Sequence, residues 1–161
     1  VETRATHYSG FNLLLGDGKR LACYSNRQAG VRCLGPGIYG VSNHLLDTPW
    51  PKLTTAKTAF SDAIERLPDI EATLESCFSL LSDREIVPDA SLPQTGVPLP
   101  WERCLSAVFV DAPEFSYGTR ASTVLLIQRD GAVTFAERSF AAGGVLSGSR
   151  RMNWQIDNQS S

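Results

Sequence analysis

The chain has 161 residues, of which 42% are hydrophobic and 20% charged, with a net charge of −2. That length suits one domain with a core of its own, and the composition is that of an ordinary globular protein. Lysine and arginine are scattered, which leaves no electrostatic footprint for nucleic acid, and no apolar run approaches the roughly 20 residues of a membrane-spanning helix.

The four cysteines, Cys23, Cys33, Cys77 and Cys104, form no CxxC and have no histidine at ligand spacing, so no zinc motif is present. Cys23 and Cys33 can be neighbours across two strands, but the pattern favours reduced thiols in a cytoplasmic protein. The first residue is Val1, and VETRATHYSGF lacks the shape of a signal peptide. The expectation is a processed chain or a piece of a longer one.

Along the chain, Phe11 to Leu15 and Leu21 to Ser25 read as a hairpin closed by Asp17-Gly18, a dipeptide suited to a type I′ turn. Gly35-Pro36-Gly37 breaks the chain, and Ile38 to Ser42 reads as a further short strand. The period then changes. Leu53, Ala56, Phe60, Ile64 and Leu67 fall on one helix face, with Pro49 or Pro51 in the first turn and Asp47 or Thr48 as cap. Pro68-Asp69 ends this helix and caps a second, whose stripe is Ile70, Leu74, Phe78 and Leu81; Cys77 falls on its apolar face. The proline-rich stretch from Ser82 to Glu102 reads as a long loop. SAVFV, residues 106–110, is a short strand. Val124 to Gln128 and Val133 to Arg138 form the strongest hairpin, turned at Asp130-Gly131, and VLSGSRRMNWQI pairs back after Gly143-Gly144. A polar tail, DNQSS, follows. The order is strands, two helices, strands: an α+β fold with antiparallel sheets and a helical pair on one face, as a single domain over 1–161.

Two stretches carry candidate chemistry. At the junction YGVSNHLLDTPWPK, Asn43 reads either as an amide donor to a developing oxyanion or as a turn residue. His44 reads as a turn histidine or as a base with Asp47 nearby, and Trp50 as packing under the turn or lining a pocket. At FSYGTRASTVLLI, Tyr117 and Thr119 lead to Arg120, which reads as a carboxylate clamp or a rim ion pair. GPGIYG has neither a following GK[ST] nor a GxGxxG before a helix.

The stretches YSGFNLLLGDG, YSNR, PGIYGVSNHLLDTPWPK, PQTG and YGTRASTVLLIQRDGAVTFAERSF together resemble the transport and Golgi organisation 2 family, also called the NRDE-motif proteins. The resemblance runs from about Tyr8 to Arg151. The Asn-Arg-Asp-Glu motif and the cysteine near the family's N-terminus have no counterpart here, so the resemblance implies the C-terminal part of a member. It implies an αββα sandwich like that of the N-terminal-nucleophile hydrolases, in which the first mature residue attacks and its own amine is the base. By that likeness Asn43 is an oxyanion donor and Arg120 an electrostatic support, with His44, Trp50, Tyr117 and Thr119 lining the substrate site. The reaction implied is hydrolysis of a small C–N amide bond, with the nucleophile in the N-terminal segment. The resemblance also implies a non-enzymatic alternative, binding or trafficking of haem or of a lipid or acyl-CoA ligand, with His7 and His44 as axial ligands. It implies no other cofactor and no metal. The expected partners are a small-molecule ligand or substrate, and the N-terminal segment or a second copy covering a sheet edge.

Overall fold

Residues 2–17 and 19–156 are described by the computed structural model. By its internal contacts the chain divides into two compact units, Val1–Lys57 and Thr58–Ser161.

In the first unit β1 (Asn12–Gly16), β2 (Leu21–Ser25) and β3 (Val31–Leu34) form an antiparallel sheet in the order β1-β2-β3. The first hairpin is where the sequence puts it, but its loop is wider. Gly16 pairs with Leu21, so four residues close it rather than a two-residue type I′ turn. Gly18 itself lies outside the described residues, as do Val1 and the tail at 157–161. The Asp17 carboxyl accepts the amides of Arg20 and Lys19 at 2.7 and 3.0 Å. These bonds, that of Arg20 foremost, lower its pKa to about 2. Beyond β2, Asn26 accepts the Phe11 amide at 2.8 Å and donates to the carbonyls of Ala5 and Ser9 at 3.1 and 3.0 Å. It thereby ties the short 3-10 turn Glu2–His7 to the sheet. Cys23 faces Arg32 and Ala22 faces Cys33, so the two cysteines are one register step apart, on opposite faces. All four thiols are free.

Ile38 to Ser42 is not a strand. Its residues are half-buried, but no neighbouring strand takes up their backbone groups, and a strand exists only as a member of a ladder. Helix α1 (Pro51–Ile64) follows. Trp50, not Asp47 or Thr48, precedes it, and the Trp50 carbonyl accepts the amides of Leu53 and Thr54. Leu53 is buried as expected, but Phe60 is exposed and Ala63 takes its place in the core.

In the second unit α2 (Ile70–Leu81) begins at Asp69, whose side chain accepts the Ala72 amide at 3.0 Å, a standard N-cap. Leu74, Cys77 and Phe78 of α2 pack with Ala63, Val124 and Ala136, and Ile70, Leu81 and Leu126 rest on this core. Burial pushes the Cys77 thiol pKa up. The segment expected to be a plain loop contains α3 (Leu99–Leu105). Its prolines occupy the first turn, where no backbone donor is lost. The buried Glu102 carboxylate accepts both the amide and the hydroxyl of Thr95, at 2.7 and 2.5 Å. Arg103 grips Asp89 with two bonds of 2.8 and 2.6 Å, so this excursion is pinned at two points. Residues 106–110 are not a strand either. Phe109 is buried and donates its amide to Asp83, and pairing starts only at β4 (Asp111–Ala112) with β5 (Tyr117–Gly118).

The C-terminal sheet has the order β6-β7-β8, formed by β6 (Ala121–Ile127), β7 (Ala132–Phe140) and β8 (Leu146–Gln155), all antiparallel. The turn at Asp130-Gly131 is as expected, with Gly131 at φ +87°, a conformation that costs glycine nothing. Helix α2 covers the face that carries Val124 and Ala136. On that face Arg138 reaches Glu75 at 2.6 Å and lies 4.1 Å above the Phe78 ring, and Arg151 pairs with Glu71. The α+β class with antiparallel sheets stands, with three α-helices and three sheets among the described residues.

Candidate functional site

The segment from Gly40 to Asp47 is closed at its base. The Gly40 amide donates to Asp47 Oδ1 at 2.9 Å, and the Asp47 amide returns a bond to the Gly40 carbonyl at 2.8 Å. The same Oδ1 accepts from Lys57 Nζ on α1 at 2.8 Å. Asp47 holds φ at +58° to make this clasp, a left-handed conformation that Asp and Asn tolerate best after glycine. Gly40 lies so near Leu53 that a Cβ there would stand 2.7 Å from a Leu53 methyl. Residues 41–46 therefore leave and return at one fixed point.

Within that loop Asn12, on β1, is the organising residue. Its Nδ2 donates to the carbonyls of His44 and Ser42 at 2.8 and 3.4 Å, the two that flank Asn43. The Asn43 backbone is thus held from both sides. Its side chain is exposed and makes no hydrogen bond to another described residue. His44 Nδ1 lies 2.8 Å from Thr48 Oγ1. The Thr48 hydroxyl spends its one proton on the Leu45 carbonyl, at 2.9 Å, so the histidine must be the donor. A neutral His44 then carries its proton on Nδ1 and presents Nε2 as a lone pair. The Trp50 ring lies 5.5 Å from the imidazole.

Tyr117, Thr119 and Arg120 belong to the second unit. Tyr117 is exposed and meets Trp101 edge-on at 5.4 Å, while Trp101 stacks on Phe115 at 4.3 Å. Thr119 accepts the Val110 amide on its hydroxyl at 2.9 Å and donates its own amide to the Val110 carbonyl at 2.8 Å. Arg120 is exposed at the entrance to β6 and its carbonyl accepts the Phe140 amide; among the described residues no carboxylate pairs with its guanidinium. Asn43, His44 and Trp50 are thus brought together in one unit, and Tyr117, Thr119 and Arg120 in the other.

A mostly apolar groove of about 680 Å³ in the first unit is lined by Arg4, Tyr8, Ser9, Gly10 and Phe11. Among the described residues no three His, Cys, Asp or Glu side chains converge to hold a metal ion, and no helix is long and apolar enough to cross a membrane. Sequence reasoning missed Asn12, Asn26 and Lys57. Each acts on backbone or side chains far along the chain, and no local pattern marks it.

The clasp makes a stability prediction. The Lys57 ammonium holds the Asp47 carboxyl below its usual range. A depressed folded-state pKa contributes stability that is full above the unfolded value and is lost as pH falls through the folded one. Asp47 is 27% exposed and Lys57 34%, so screening keeps the effect modest. Asp47→Asn retains a residue that tolerates positive φ and removes the charge. It should lower stability by about 1–2 kcal/mol at neutral pH. The gap to the unaltered chain should close as pH falls below about 4, as measured by urea unfolding across pH. A gap that stays constant with pH would rule out the ion pair as its source.

The family profile described as transport and Golgi organisation 2 matches residues 1–142. The chain is 41% identical to the transport and Golgi organization protein 2 homolog of Bos taurus, over 82% of this chain and 51% of that protein. It is 39% identical to the Homo sapiens homolog over the same shares, and 35% identical to that of Mus musculus over 86% and 54%. The chain spans about half the length of the curated relatives it matches. It belongs to the transport and Golgi organisation 2 family.

Proposed function

We propose that this chain supplies part of an N-terminal-nucleophile-type amidase, built as an αββα sandwich, that cleaves a small C–N amide bond. The observation that carries this reading is Asn43: an unengaged amide on a loop whose backbone is clamped on both sides. A preorganised donor of that kind is what a tetrahedral oxyanion requires. The nucleophile is a cysteine outside these 161 residues. Its thiolate attacks the amide carbonyl, a C–S bond forms, the C–N bond breaks as the amine departs with a proton, and water releases the acid. Trp50 and His44, beside Asn43 in the first unit, line the substrate site. The test is to assay the polypeptide as the cell makes it against a panel of N-acyl amines. Release of free amine is expected, and absence of turnover across the panel rejects the reading.

A second reading, a ligand carrier, draws on two features. The groove beside Arg4, Tyr8 and Phe11 suits an apolar ligand with an anionic group. The lone pair on His44 Nε2 suits axial ligation of haem, whose iron chemistry would then be the group's own. Haem titration should give a Soret shift that His44→Ala abolishes; an unshifted spectrum in the unaltered protein removes the haem version.

A further inference from the structure

The two ring nitrogens of His44 are in different chemical states. Nδ1 stands 2.8 Å from Thr48 Oγ1, and that hydroxyl has given its only proton to the Leu45 carbonyl at 2.9 Å. The ring is therefore the donor in this bond, and in the neutral imidazole Nε2 is left as an acceptor. The side chain is exposed, and among the described residues no donor reaches Nε2. The residue is also held in place. The His44 carbonyl takes a 2.8 Å bond from Asn12 Nδ2, the Trp50 ring tilts against the imidazole with centroids 5.5 Å apart, and the bond from Gly40 to Asp47 shuts the base of the loop. An acceptor is thus fixed one residue away from Asn43, whose side-chain amide is a donor.

We infer that His44 Nε2 accepts the N–H of the scissile amide and so restricts the substrate to secondary amides, the acylated forms of primary amines. This rests on the amidase reading above and names the substrate class of the same site. A secondary amide carries a carbonyl acceptor and an N–H donor on either side of one bond. Consecutive residues of the loop offer the converse, an NH₂ donor on Asn43 and a ring acceptor on His44. The proton on Nδ1 decides the match. The other tautomer would set two donors against the amide, and the substrate N–H would face a proton. The same bond divides the labour of cleavage. Nε2 carries no proton, so it does not protonate the departing nitrogen. It holds the N–H and leaves that nitrogen's lone pair for the proton that the nucleophile's own amine took from the thiol, as the C–S bond forms and the C–N bond breaks. A tertiary amide brings an alkyl group to Nε2 in place of a hydrogen and forfeits the bond.

A matched pair of substrates tests this on the polypeptide as the cell makes it: N-butanoylbenzylamine and its N-methyl derivative. The ratio of kcat/KM should favour the N–H substrate by about 10–100-fold. His44→Ala should bring that ratio close to unity, and His44→Gln, whose side-chain oxygen is again an acceptor, should restore part of it. Equal rates on the two substrates in the unaltered protein, or an undiminished preference in His44→Ala, overturn the inference and leave the amidase reading standing. A preference lost in His44→Ala and not recovered by His44→Gln also overturns it, in favour of packing alone. Turnover of no amide in the N-acyl panel overturns both. The tautomer is read without any substrate by ¹⁵N NMR of labelled histidine, at a pH where the ring is neutral. The signals missing from His44→Ala should be those of an Nδ1-protonated ring, and an Nε2-protonated ring overturns the inference whatever the turnover.

Discussion

In the proposed amidase, Asn43→Asp should lower kcat for amide hydrolysis by about 10²–10³-fold, or roughly 3–4 kcal/mol in the barrier, the range measured when one oxyanion donor is removed. The substitution keeps the shape of the side chain and exchanges its NH₂ donor for an acceptor, which is negatively charged at neutral pH. An oxyanion then meets repulsion where it would have met a hydrogen bond. The side chain is exposed and bonds to no other described residue, so the unfolding midpoint should move little. The contrast between a large kinetic loss and a small stability change separates a donor from a turn residue. Asn12→Ala should act differently. It frees the carbonyls of Ser42 and His44, so it should lower kcat through misplacement while Asn43 remains intact. A kcat within twofold of the unaltered protein for Asn43→Asp ends the assignment.

Phe78→Ala should destabilise the second unit by about 3–5 kcal/mol, the usual cost of emptying a phenylalanine site in a packed core. Phe78 is 5% exposed and packs in the cluster with Leu74, Cys77, Val124 and Ala136. It is also the floor under the Arg138 guanidinium, 4.1 Å above the ring, so its removal takes away a cation–π contact as well as apolar area. Phe78→Leu fills most of the volume and should cost markedly less. Urea unfolding measures both, and a loss below about 1 kcal/mol for the alanine variant would contradict this core.

Much of this fold was legible because the responsible signals are local. Asp69 announces the start of α2 and a stripe at 3.6-residue spacing announces its buried face, and both rest on neighbours within one turn. The C-terminal hairpin was legible for the same reason, through a turn dipeptide between two alternating runs. What failed was relational. Ile38 to Ser42 has strand-like residues but no partner strand, and Phe109 has a core position but bonds to Asp83 instead of a ladder. Helix α3 hid behind prolines that are harmless in a first turn. The site divides in the same way. The junction holding Asn43 and His44 stood out in the sequence, yet the clamp that fixes it comes from Asn12, whose bonds to it span 30 and 32 residues. Neither the clamp nor the proton position on His44 has a linear signature.

Among the described residues, the side-chain bonds that hold the N-terminal turn come from a single nitrogen. Asn26 Nδ2 reaches the carbonyls of Ala5, Tyr8 and Ser9, the same stretch that supplies Arg4, Tyr8 and Ser9 to the groove. The groove is therefore not a property of the residues that line it. It is a shape lent to them by one side chain at the end of the neighbouring strand, and replacing that amide by a carboxylate would turn every one of those attractions into a repulsion between oxygens. A search for the positions that set the shape of this groove that looks only at its walls would miss the hinge pin.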